Sequence, residues 1–367
     1  MNTSDINSLL EKYLKGTSTE EENAMLETWY MRYENKSLSD VADQARIAQL
    51  DRIRQRVVLH SAPARTYKLW TRIAVAAAVA AIVLGVWFNA SRYTDTPRYP
   101  EFASGSQDIA PGKNGATITL ANGKMIRLSD AKNGVVIGNN SIKYDDGSFL
   151  SSEVTSGGGM ALTASTARSQ TYQFTLPDGT RVWLNADSKL EFPSSFINSK
   201  TRNVKLSGEG YFEVAKDKAH PFMVNFKTLT LTVLGTHFNV NTYENEKIAK
   251  ATLLEGSIKV EKLFLKPAQQ AIFDDQKRLS LQTLENAEKE IAWKDGYFRF
   301  YDEKIQDIMK ELERWYDIEV VYEGKMTNEG FTGKVSRNKN ISQVLMILEK
   351  TKGVHFKIDG RRVTVID

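Results

Sequence analysis

Ile73-Ala-Val-Ala-Ala-Ala-Val-Ala-Ala-Ile-Val-Leu-Gly-Val-Trp-Phe88 holds sixteen residues without a charge, an amide or a hydroxyl. As a helix rising about 1.5 Å per residue, the run spans about 24 Å, a little short of a hydrocarbon core of roughly 30 Å. Leu69, Trp70 and Thr71 extend it while Arg72 snorkels to the headgroups, and Trp70 and Trp87 fall where interfacial aromatics belong. Its Ile, Val, Leu and Phe residues favour insertion by roughly 2 to 5 kcal/mol, with alanine near neutral. The spacing therefore predicts one transmembrane helix over 69–91. A buried, alanine-rich core helix is the alternative, but such a helix needs neither aromatic anchors nor flanking arginines. A cleavable leader is disfavoured, because the run starts at residue 73. Arg52, Arg54, Arg56, Arg65, Lys68 and Arg72 precede the run, against Arg92 and Arg98 after it, so the N-terminal side is expected to be cytoplasmic. Ala77, Ala81 and Gly85 make a ridge of small residues that reads as a helix-packing face or as mere alanine richness.

Before this run the pattern is helical. Ile6, Leu9, Leu10 and Tyr13 fall at helical spacing and Gly16 ends a first short helix. Ser18 and Glu21 read as a capping box for a second, striped by Leu26, Trp29, Tyr30 and Tyr33. A third stretch runs through Ile47, Leu50, Ile53 and Val57. Three short helices make a small core, so the module either completes that core on a partner or stands as a bare three-helix bundle.

Charge excludes some functions. With 49 Lys and Arg against 45 Asp and Glu, intermixed, no basic stripe advertises a nucleic-acid surface. Cysteine is absent, which removes disulfides, thiol nucleophiles and thiolate metal sites. The four histidines, His60, His220, His237 and His355, show no ligand spacing, so neither metal nor other cofactor is expected. Asp178, Glu209, Glu213 and Glu255 fall in strand or turn contexts that explain them as solvated or hairpin residues, not paired carboxylates of a hydrolase.

Beyond the apolar run, residues 92–107 are polar, with Pro97, Pro100 and Gly105, and read as a tether. Strand signals then begin. Thr119–Leu128 alternates around Asn122-Gly123, and Thr175–Leu184 does so around Asp178-Gly179, so both read as hairpins with two-residue turns. Residues 151–169, with Ser156-Gly-Gly-Gly159, read as a long loop. From Tyr172 to Asp274 short alternating runs predict a sandwich, barrel or strand coil. A polar, helical connection near 285–291 follows, and the pattern then changes. Tyr297–Tyr301 reads as a strand, while Ile305, Ile308, Met309, Leu312 and Trp315 stripe a helix. Strands at 318–322 and 331–335 follow, then a helix capped by Asn340 and carrying Ile341, Val344, Leu345 and Leu348 to Gly353, then strands at 354–358 and 363–366. Two strand-helix-strand halves make a small α+β domain.

Several segments together carry a family likeness: Leu176-Pro-Asp-Gly-Thr-Arg-Val-Trp-Leu-Asn-Ala-Asp-Ser188, Leu206-Ser-Gly-Glu-Gly-Tyr-Phe-Glu-Val214, Pro221-Phe-Met-Val224, Val233-Leu-Gly-Thr-His-Phe-Asn-Val240 and Leu253-Leu-Glu-Gly-Ser-Ile-Lys-Val260. They resemble FecR-type anti-sigma factors in the form typical of Bacteroidetes. Trp293-Lys-Asp-Gly-Tyr-Phe-Arg-Phe300 through Glu313-Arg-Trp-Tyr-Asp317 is similar to the domain that follows the FecR domain there, itself akin to the short signalling domain of secretins and TonB-dependent receptors. Two departures are Gly208-Glu209-Gly210, where the family shows Gly-Glu-Ala, and Leu265-Lys-Pro-Ala268, where it shows a final glycine.

The resemblance implies a multi-domain chain: a short all-α cytoplasmic module (1–68), one transmembrane helix (69–91), a periplasmic tether (92–107), an all-β FecR domain (108–275) and a small α+β signalling receiver (290–367). It implies an inner-membrane, single-pass protein whose N-terminal helices bind an extracytoplasmic-function sigma factor, through Leu10, Tyr13, Leu14, Leu26, Trp29 and Tyr30. A signal is expected from the periplasmic signalling domain of a TonB-dependent transporter carrying iron chelates or glycans, docking at Trp293, Phe298, Phe300 and Trp315. Membrane proteases then act near the membrane helix. No direct contact with nucleic acid and no enzyme activity are expected. The one candidate reaction is self-cleavage at Gly235-Thr236, where the hydroxyl would attack the preceding carbonyl with His237 or Asn239 assisting. The blander reading is a bend in a strand. An envelope-polysaccharide adaptor without a sigma partner is the alternative function.

Overall fold

The computed structural model describes residues 101–102, 107–138, 141–151, 160–274, 276, 278–352 and 354–366. The chain divides into two units, Met1–Tyr99 and Pro100–Asp367, and the described residues belong to the second. The helical module, the 69–91 helix and the six residues expected to bind a sigma factor lie outside them. Among the described residues no helix is long and apolar enough to cross a membrane.

Two large sheets, of eleven and nine strands among the described residues, enclose one core. Alternation builds them: Arg202–Ser207 buries every second residue, and Gln170–Thr175 buries Tyr172 and Phe174. The inward residues of both sheets meet, with the Phe212 and Phe238 rings stacked at 5.0 Å and Phe222 of the facing sheet 6.3 Å from Phe212. Along each sheet the strands run nearly in chain order, the chain placing one to three in one sheet and then one or two in the other. The architecture is thus a two-sheet sandwich wound as a strand coil, combining two of the three forms open to the sequence.

The hairpins form where expected, with a different turn. Leu120 N–H donates to Lys124 O and Gly123 N–H to Leu120 O; Leu176, Gly179 and Thr180 repeat the pattern. Only the glycine takes positive φ, +83° in both, so each turn is a tight bend closed by a left-handed glycine and not a two-residue turn. Tyr144–Ser148 is a third copy, with Gly147 also at +83°.

The loop expected over 151–169 contains a strand, Ala161–Thr166, paired in register with Ser188–Pro193. Leu162, Ala164 and Thr166 point inward. Small and hydroxylated side chains satisfy the alternation without showing a hydrophobic one. Ala268, at the position the family gives to glycine, sits at φ +65°. A left-handed alanine costs about 1–2 kcal/mol, and glycine loses back about 0.5–1 through chain entropy. Ala268→Gly is therefore expected to stabilise the sandwich by roughly 0.5–1 kcal/mol in urea unfolding.

A second core belongs to the C-terminal domain. The strands Tyr297–Lys304 and Gly330–Ser336 pair antiparallel, with a bulge between Phe300 and Glu303. Helix α1 (Ile305–Tyr316) buries its predicted stripe, Ile305, Ile308, Met309, Leu312 and Trp315, and α2 (Ile341–Lys352) buries Ile341, Val344, Leu345 and Leu348. The second sheet runs Glu101–Phe102, His355–Asp359, Arg362–Ile366, Glu319–Glu323. The two predicted halves therefore interlock, the first half's last strand lying parallel to the second half's.

Two corrections concern boundaries. The end of the expected tether is structured: Glu101–Phe102 pairs parallel with Lys357–Ile358, and Ile109 is buried in the C-terminal core. Residues 101–102 and 107–109 thus belong to the last domain, although the sequence sets them before the first. The sandwich also runs past 275, closing with Leu279–Thr283 ahead of a 3₁₀ turn at Ala287–Ile291.

Candidate functional site

The Gly235-Thr236 corner precedes the strand His237–Asn241. Gly235 has φ +148°, and a Cβ there would stand 2.5 Å from Lys216 Cγ and 2.9 Å from its Cα, so only glycine fits. Opposite, a Cβ on Gly256 would meet Thr236 Oγ1 at 2.9 Å. Thr236 is buried, and its hydroxyl donates to Ser257 O at 3.1 Å. A carbonyl holds a hydroxyl in place but is no base for it. His237 turns to Glu255, Nδ1 to Oε2 3.3 Å, and Asn239 donates to Glu209.

Where the sandwich meets the C-terminal domain, buried polar groups form a connected chain. Glu209 is 7% exposed and accepts from Asn185 Nδ2 at 2.7 Å and Asn239 Nδ2 at 2.9 Å. Asn185 Oδ1 in turn accepts from Arg337 Nη2 at 3.1 Å, and Asn239 Oδ1 from Trp293 Nε1 at 3.4 Å. The buried Arg337 guanidinium lies 3.8 Å from the centre of the Trp315 ring and donates to Trp293 O, while Trp315 Nε1 donates to Arg337 O at 2.9 Å. Burial lowers its pKa to about 10. Arg314, on α1, pairs with Glu246 at 2.7 Å and stacks 3.9 Å from the Tyr243 ring centre. Glu209, read from sequence as solvated, is thus a buried tie, and burial raises its pKa to about 6.

Beside this tie lies a polar cavity of about 610 Å³, lined among others by Lys250, Glu290, Glu303, Gln306 and Glu311. Burial raises the Glu303 pKa to about 7 and pushes Glu311 up as well.

The residues expected to dock a receptor do not form a surface. Phe298, Phe300 and Trp315 are 2%, 3% and 5% exposed, and Trp293 is half-buried at the seam. Phe298 and Phe300 stack at 6.1 Å inside the domain. Among the described residues, no group of three or more His, Cys, Asp or Glu is arranged to hold a metal ion.

The FecR protein family matches residues 163–259, and the family described as FecR, C-terminal, matches residues 297–365. The crystal structure at 1.65 Å of a candidate anti-sigma factor from Parabacteroides distasonis ATCC 8503 is 28% identical, with TM-score 0.52, over 55% of this chain and 97% of that one. A second structure, at 2.50 Å and also titled as a candidate anti-sigma factor from that organism, is 27% identical with TM-score 0.52, over 56% of this chain and 99% of that one. The chain carries a FecR domain followed by a FecR C-terminal domain, and over them it is similar to FecR-type anti-sigma factors. No curated protein matches it.

In this FecR-type chain the family's recognisable motifs are structural. Gly208 has φ +88°, and a Cβ on it would strike Ser188 Oγ at 2.4 Å, whereas one on Gly210 would meet only side-chain ends at 3.2 Å and beyond. Glycine is thus required at 208 and optional at 210, as the family's Gly-Glu-Ala implies. Between them, Glu209 takes two amides that are both pinned by other partners: Asn185 Oδ1 by Ala186 N–H and Arg337, Asn239 Oδ1 by Trp293. Glu209→Gln sets an N–H₂ against an N–H₂ that cannot flip, so it is expected to destabilise the FecR-type fold by about 1–3 kcal/mol despite removing a buried charge. The pH dependence has a defined sign. A carboxyl at about 6 folded, against 4.5 ordinarily, binds more protons folded than unfolded within that window, so stability falls as pH rises through it. The loss is about 2 kcal/mol in all, somewhat more than half of it between pH 4.5 and 6. Urea titrations should show this slope in the wild type and a flatter one in Glu209→Gln.

Proposed function

We propose that this chain is a single-pass inner-membrane anti-sigma factor whose N-terminal helices hold an extracytoplasmic-function sigma factor. Its sandwich and C-terminal domain are periplasmic and receive a signal from the signalling domain of a TonB-dependent transporter. Proteolysis at or near the membrane helix then frees the sigma factor. The observation that carries this reading is the paired match of FecR and FecR C-terminal families on one chain, with a structural counterpart titled an anti-sigma factor. The charge-flanked apolar run at 73–88 supplies the membrane step. Docking uses exposed side chains of the C-terminal domain, such as Tyr297, Tyr301 and Tyr322, since Phe298, Phe300, Trp315 and Tyr316 fill the core.

A reporter driven by the cognate sigma factor tests this. Co-expression of the full chain should silence the reporter, and transporter ligand should restore it. A reporter indifferent to the chain, beside binding to envelope polysaccharide, would favour the adaptor reading instead. No reaction at Gly235-Thr236 is part of the proposal, because the hydroxyl is committed to a carbonyl. Purified from unstimulated cells, the chain should show its intact mass. Fragments meeting between 235 and 236 would overturn that.

A further inference from the structure

Residues 107–112 lie against the C-terminal domain, crossing it before the chain enters the sandwich. Asp108 supplies the cap that the sequence assigned to Asn340: its carboxylate accepts from Ser342 Oγ at 2.7 Å and Ser342 N at 3.3 Å, across 234 positions. Ile109 O accepts from Ile341 N at 3.0 Å, so two first-turn donors of α2 are satisfied by this segment. Gly112 runs flat over Trp315, since a Cβ there would stand 2.7 Å from the ring and 2.7 Å from Ser169 O.

The attachment is also slight. Glu101–Phe102 pairs with only two residues of the five-residue strand His355–Asp359, at the edge of its sheet. A cleft of about 470 Å³ is bordered by the segment on one side and Arg168 and Arg361 on the other. Short edge pairing and a cap from a remote segment are contacts that open locally while the cores beside them stay folded.

We propose that residues 107–112 are a releasable strap, clipped to the start of α2 by Asp108, and that a signal reaching the C-terminal domain acts by unclipping it and exposing it to proteases. This rests on the reading above that the C-terminal domain is the receiver. The strap couples that domain directly to the segment leading to the membrane helix, with the sandwich as the base on which the domain sits. Movement of α2 by a docked partner withdraws Ser342 and Ile341 from Asp108 and Ile109, and the strap loses its polar holds together.

The full chain in spheroplasts, exposed to a broad-specificity protease, provides the test. Asp108→Ala should raise the cutting rate within 107–112 by about five- to thirtyfold without partner, because cutting follows the open population. Asp108→Asn keeps an acceptor and should recover most of the protection. Equal rates in wild type and Asp108→Ala would overturn the proposal. If Asp108→Ala also opens residues 290–367, a second variant decides. The chain has no cysteine, so Asp108→Cys with Ser342→Cys can be joined specifically by a short thiol crosslinker. The joined strap should resist both added protease and signal-dependent cleavage, and cleavage at the wild-type rate would sink the idea. Strap protection without any sigma-factor complex would instead defeat the functional reading and leave the strap standing.

Discussion

Arg202→Ala is expected to destabilise the sandwich by about 3–5 kcal/mol, the range for removing one partner of a buried ion pair. Arg202 is 3% exposed on the strand Arg202–Ser207 of one sheet, and its Nη1 donates to Asp178 Oδ2 at 2.7 Å on a hairpin of the other. The same guanidinium donates to Ala215 O at 2.9 Å and His220 O at 2.8 Å and lies 5.4 Å from the centre of the Phe222 ring. One side chain thus ties both sheets and the 215–220 loop. Its loss strands Asp178, whose side chain is 9% exposed, with only Thr180 N–H and Oγ1 to serve it. Replacing both residues, Arg202→Met with Asp178→Ala, should cost less than Arg202→Ala alone, since no charge is then left unpaired. A loss under about 1 kcal/mol for Arg202→Ala in urea unfolding would contradict the account.

Trp315→Ala separates the core reading from the docking one. The indole fills the C-terminal core, donates to Arg337 O and is the platform for the Arg337 guanidinium. Its truncation should cost about 3–5 kcal/mol, with Arg337 left buried beside a void. The C-terminal domain is expected to melt ahead of the sandwich, and residues near Gly112 to lose hydrogen-exchange protection. A docking residue would behave otherwise, with stability kept and only the response to the transporter lost.

How much the sequence revealed follows the range of the interactions. Both C-terminal helices were legible because Ile305, Ile308, Leu312 and Ile341, Val344, Leu348 repeat at the helical period. The hairpins were legible because Asx-Gly is a local signal, even though the turn differs. The strand Ala161–Thr166 hid behind small side chains. The misplaced docking residues carried a usable sign: Phe298 and Phe300, two apart on a strand, share one face, and Trp315 continues the stripe of Leu312. Asp178 looked like an ordinary turn residue because Arg202 lies 24 positions away, and Glu209 looked solvated because Asn185 and Asn239 reach it only through sheet pairing. Asp108 had no local sign at all. Its partner is across the whole described fold.

The most direct test of the anti-sigma reading is co-purification of the full chain, in detergent, with candidate extracytoplasmic-function sigma factors. The account predicts a one-to-one complex with one of them, lost when Leu10, Leu14 and Trp29 are replaced together by aspartate. Failure of every candidate to co-purify, or a complex that survives that replacement, would contradict it.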